Sequence, residues 1–172
     1  MVKEKSNRKY IIILMCLHMI ACTNMYENKI SDILCMPNVS VISSKRYESR
    51  GVGEWYILER YILSTDTAIQ LEINKDSVEC SIERHPFLKD YYWIGWNPIF
   101  KRTGMYDILA ESSCYFSKNV LVREYNECCN GNTGYFTILI RDSLGLYNAL
   151  QEKTAVVYNT RANTIYICNY HY

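Results

Sequence analysis

Residues Thr67 to Ile73 alternate strictly. Ile69, Leu71 and Ile73 fall on one side of an extended chain, and Ala68, Gln70 and Glu72 on the other. Successive side chains of a strand point to opposite faces, so this pattern suits a sheet with one apolar face rather than a helix. Asn74 to Ser77 is a polar turn, after which Val78, Cys80 and Ile82 alternate with Glu79, Ser81 and Glu83. Strand, turn and strand predict an antiparallel hairpin with Cys80 on its inner face.

A second hairpin is expected from Thr154 to Tyr158 and Thr164 to Tyr170, around Asn159 to Asn163. Trp55 to Ile62, Tyr115 to Tyr125 and Tyr135 to Arg141 are rich in aromatic and β-branched residues and read as strands. Cys128 to Gly134 reads as a turn by composition, and Leu144 to Lys153 as a short helix with Ser143 as its N-cap. The expected fold class is mostly β: an antiparallel sandwich or barrel-like sheet of about seven to nine strands with one short helix.

The first residues follow a different logic. Lys3, Lys5, Arg8 and Lys9 stand against Glu4, and Tyr10 to Ile20 is almost wholly apolar. A basic head and a short apolar core form an export signal. The run is about half the roughly 20 residues a membrane-spanning helix needs. It ends on Met19-Ile20-Ala21-Cys22, which resembles the lipobox of bacterial lipoproteins. That resemblance implies cleavage before Cys22, lipid on its sulfur and anchorage to the membrane; Thr23 fits the pattern of lipoproteins sent to the outer membrane. The expected organisation is a signal peptide over residues 1–21, a lipidated tether over 22–34 and one β-rich domain over 35–172. An ordinary signal peptide cut nearby, or an uncut apolar anchor, are the competing readings.

Removing the leader takes four bases and one acid, leaving 15 bases against 17 acids. So nearly balanced a chain has no electrostatic basis for nucleic-acid binding. It holds eight cysteines. Cys16 leaves with the leader and Cys22 carries lipid, so Cys35, Cys80, Cys114, Cys128, Cys129 and Cys168 are the candidates for three disulfides. Six cysteines allow 15 pairings, and the sequence selects none of them. The adjacent Cys128 and Cys129 are expected to take different partners. No Cys-x-x-Cys pair accompanies His85 and His171, so neither a metal nor any other cofactor is expected.

Catalytic signatures are missing as well: no nucleophile elbow, no zinc-protease helix and no glycine-rich phosphate loop. His85 is expected as a surface or turn histidine, and Glu79 and Glu83 read as solvated charges on a strand. The most unusual internal feature is Tyr91-Tyr92-Trp93-Ile94-Gly95-Trp96. Tyr91, Tyr92, Trp93 and Trp96 are candidate binding residues, because large rings dominate protein-recognition hot spots and also stack on sugars. The competing reading packs them into the core, with Tyr92, Ile94 and Trp96 on one face. Asn38-Val39-Ser40 is a glycosylation sequon that matters only in a eukaryotic host.

In size, export type and lack of catalytic motifs, the chain resembles the immunity lipoproteins that guard the periplasm against toxins delivered by type VI secretion. That likeness implies a non-enzymatic envelope protein, facing the periplasm, whose β domain binds a protein partner such as a toxin. Alternative readings are a structural or carbohydrate-binding envelope lipoprotein, a secreted cysteine-rich effector, and an enzyme acting on a cell-wall sugar.

Overall fold

The computed structural model describes residues 27–37, 39–51, 55–65, 83–99, 118–131, 134–141 and 152–171. The hairpin expected over residues 67–83 lies outside them, save Glu83, as do Asn38 and the leader. Residues 27–34 form a helix, α1. The strands are β1 (Val41–Arg50), β2 (Trp55–Leu63), β3 (Glu83–Arg84), β4 (Tyr91–Trp93) and β5 (Asn97–Pro98), then β6 (Tyr135–Arg141), β7 (Glu152–Asn159) and β8 (Thr164–His171). A second helix, α2 (Val120–Asn130), precedes β6.

The mostly-β, antiparallel expectation holds: the described strands form one sheet. The eight described strands run β1-β2-β8-β7-β6-β4-β3, with β5 also paired to β6. All described pairings are antiparallel. Both faces are apolar at the centre, so both need cover. On one face α2 sets Leu121, Val122, Tyr125, Cys128 and Cys129 over Leu58, Phe136, Ile138, Ala155, Val157 and Cys168. On the other, α1 sets Ile30, Ile33 and Leu34 over Tyr61, Leu139, Val156, Ile165 and Ile167. The segment expected to be a tether up to residue 34 thus contributes core residues.

The region expected as a strand over Tyr115 to Tyr125 is helical from Val120 onward. Two causes outweigh its β-forming composition. Asn119 caps the helix, its Oδ1 accepting the Leu121 N–H at 2.9 Å. The buried positions 121, 122, 125, 128 and 129 also follow helical spacing. Cys128 and Cys129, expected in a turn, form the last buried turn of α2, which ends at Gly131. Glu152 and Lys153, assigned to a short helix, begin β7.

The β7–β8 hairpin is locked by two asparagines. Asn159 Oδ1 accepts the N–H groups of Arg161 and Ala162 at 3.1 and 3.2 Å. Asn163 occupies the left-handed region (φ 47°), which asparagine tolerates. Its side chain donates to the carbonyls of Leu63 and Ser64 and accepts from the Tyr158 hydroxyl. This ties the hairpin tip to the end of β2.

Candidate functional site

The aromatic segment divides between the two faces. Trp93 is opposite Leu139, but Asn97 is opposite Phe136, a one-residue slip in register. The slip occurs at Gly95 (φ 72°), a bulge stitched by Asn97 Nδ2 donating to the carbonyls of Ile94 and Gly95. A one-residue slip exchanges faces. Tyr92 and Ile94 therefore pack on the α2 side, and Trp96 on the α1 side. Trp96 is 2 % exposed and belongs to the core. Tyr91, Tyr92 and Trp93 are half-buried, packed against the core by part of each ring.

His85 opens the β3–β4 turn but is 2 % exposed, buried rather than at the surface. Its Nδ1 accepts the N–H groups of Phe87 and Leu88 at 3.2 and 3.0 Å, and its ring packs edge-on to Trp93 at 4.6 Å. With Nδ1 accepting, the proton of the neutral ring sits on Nε2. Nε2 lies 3.7 Å from Cys35 Sγ. A cysteine nucleophile needs that nitrogen as a proton acceptor, whereas here it is the donor. Burial also lowers the His85 pKa, opposed by the Ile33 backbone hydrogen bond and the Asp32 charge. The contact is a clasp between the end of α1, where Cys35 adopts φ 55°, and the β3–β4 turn.

Cys35, Cys128, Cys129 and Cys168 are thiols in the structure, so the three-bridge framework expected from the cysteine count is not formed. Cys80 and Cys114 lie outside the described residues, as does Cys22. Burial pushes the Cys128 pKa up to about 11 and that of Cys168 to about 12, the latter against hydrogen bonds from Tyr56 and Tyr125. Such thiols are packing groups rather than nucleophiles. Among the described residues no group of His, Cys, Asp and Glu is placed to hold a metal ion, and no helix is long and apolar enough to cross a membrane.

One concave feature among the described residues is a groove of about 740 Å³ between α2 and the sheet. Arg60 and Ile62 of β2 and Thr164 and Tyr166 of β8 form its floor. Glu124, Glu127 and Cys128 of α2 form one wall, and Asn159, Arg161 and Ala162 of the β7–β8 turn the other. Arg60 Nη1 donates to Glu124 Oε2 at 2.6 Å, with the two side chains 15 % and 36 % exposed. Burial, with the Glu124 charge, pushes the Tyr166 pKa up to about 12, partly opposed by Arg60. The floor is thus a neutral phenol beside an ion pair. The Asn159 cap holds Arg161 and Ala162 at the rim. No short motif marks this groove, because its residues come from three distant segments.

Comparison of the chain with protein-family models, with curated proteins and with solved structures finds no match.

Proposed function

We propose that this chain is an exported envelope protein, lipid-anchored through Cys22, whose β-sheet domain binds a protein partner, as an immunity protein binds the toxin it neutralises. The groove between α2 and the β7–β8 turn carries this reading. Its volume lies within the range of sites that take a ligand or a partner's side chains. It presents both signs of charge, from Arg60 in its floor and Arg161, Glu124 and Glu127 in its walls, beside the apolar Ile62 and the Tyr166 ring, the mixture found in recognition surfaces. The half-buried Tyr91, Tyr92 and Trp93 would supply a secondary contact. Sugar stacking is the less favoured alternative, since Trp96 is enclosed in the core.

Two measurements test this reading. Intact mass of the protein from its host membrane should show acyl chains on Cys22; a soluble, unlipidated product overturns the anchor. Affinity purification from the solubilised envelope should recover a stoichiometric protein that the groove-blocking variant Ala162→Trp no longer retains. Equal recovery by both forms would remove the groove from the proposal.

A further inference from the structure

The groove between α2 and the β7–β8 turn holds two charges that the fold leaves unneutralised. Arg60 and Glu124 neutralise each other at its base. Glu127, exposed on the α2 wall, and Arg161, exposed on the turn wall, do not take part. Neither has an ion-pair partner among the described residues, and no ion pair joins them across the gap.

Glu127 is placed against local physics. It lies in the last turn of α2, at the negative end of the helix dipole, and no basic residue stands in that turn. It also follows Glu124 by three residues, which sets two acids side by side on one helix face. Arg60 offsets only the first of them. On the opposite wall the backbone of Arg161 is fixed, because Asn159 Oδ1 accepts its N–H at 3.1 Å and that of Ala162 at 3.2 Å. An anion and a cation thus stand on facing walls of the groove, with Ile62 and the Tyr166 ring in the floor. Clefts with low-dielectric walls concentrate the field of such charges.

We infer that the partner segment seated in this groove carries an acidic group for Arg161 and a basic group for Glu127, joined by an apolar stretch that covers Ile62 and Tyr166. The inference rests on the groove being the partner's contact, and adds the chemistry of what enters it. A wholly acidic segment sets its charge against Glu127, and a wholly basic one against Arg161; like charges brought together at an interface are unfavourable. An uncharged segment strips water from both side chains and returns nothing. A segment of both signs meets both walls.

NMR titration of the full chain, labelled with nitrogen-15, tests the assignment at the amides of Glu127, Arg161 and Ala162. The probes are short blocked peptides with glutamate at one end, lysine at the other and one to three leucines between, in both orders. Controls carry two glutamates or two lysines. A mixed peptide should give saturable shifts, with the like-charged controls weaker by about tenfold, the equivalent of roughly 1.4 kcal/mol. Arg161→Glu makes both walls acidic and should turn the preference to the two-lysine peptides. Glu127→Lys makes both walls basic and should turn it to the two-glutamate peptides. The two substitutions together restore walls of opposite sign and should restore the mixed preference. A preference gained by a variant requires a folded groove, so unfolding does not mimic these switches. No binding of any mixed peptide, or a preference that the substitutions leave unchanged, would overturn the charge assignment. If a photo-reactive residue at position 162 still captures an envelope protein in that case, the groove remains a protein contact with a different occupant; if it captures none, the partner reading falls as well.

Discussion

Arg60 on β2 and Glu124 on α2 are 64 residues apart in sequence and joined by a 2.6 Å hydrogen-bonded ion pair at the base of the groove. The pair is asymmetric. Arg60 is largely enclosed, and its Nε has no hydrogen-bond partner among the described residues, while Glu124 sits at the margin. Removing the acid leaves an enclosed cation without its counter-charge, whereas removing the base also removes the orphaned N–H. Glu124→Ala is therefore expected to cost about 1–2 kcal/mol, discounted for its partial exposure. Arg60→Met should cost less, and measured urea unfolding of both variants checks the order. A larger loss from Arg60→Met would contradict the asymmetry.

The His85 clasp predicts a pH dependence with a definite sign. Its folded pKa lies below the ordinary 6.5 because burial disfavours the charged ring. Between that lowered value and 6.5 the unfolded chain binds the proton more readily. The contribution is therefore fully present above pH 6.5 and is lost as the pH falls below it. Protonation would also set an Nδ1–H against the N–H groups of Phe87 and Leu88. Unfolding free energy followed from pH 7.5 to 5 should decline in wild type and decline less in His85→Gln. Parallel curves would show that His85 does not titrate with folding.

The thiols offer a chemical test. Cys129 and Cys168 are fully buried and Cys128 is 7 % exposed. In the native protein all three should resist iodoacetamide, while the half-buried Cys35 reacts first. Denaturant without any reductant should open all three to alkylation, read by peptide mass. Cysteines that label only after reduction would establish disulfides in place of thiols.

Gly134 precedes β6 with φ 126°, and a Cβ placed there would lie 2.4 Å from the Tyr158 carbonyl oxygen. That neighbour is backbone in the β6–β7 ladder and cannot turn aside. Gly134→Ala should cost on the order of 2–3 kcal/mol, combining left-handed strain with the clash. Thermal unfolding measures it, and a loss of a few tenths would mean the strand end relaxes freely.

Strands β2, β6, β7 and β8 were legible because aromatic and β-branched residues crowd those segments, and a turn-forming run separates the last two. The helix α2 was not. Tyr125, Val120 and Val122 favour strand locally, and its apolar stripe is visible only when Cys128 and Cys129 are counted as apolar side chains rather than bridge-formers. The position of Trp96 depended on one inserted residue at Gly95, which no alternation pattern reveals. His85 offers no local sign of burial, since its shelter comes from α1, 50 residues earlier. The groove was hidden for the same reason: Arg60, Glu124 and Arg161 converge only through sheet order and helix docking.

Partner binding at that groove is tested most directly by a photo-reactive residue at Ala162, on the exposed rim, with Val120 at the far end of α2 as the control position. Irradiation in the intact host envelope should give one covalent adduct of defined mass from position 162 and none from 120. The Arg161→Glu background should reduce that adduct severalfold. No adduct at 162, or equal labelling from both positions, would contradict a recognition site in the groove.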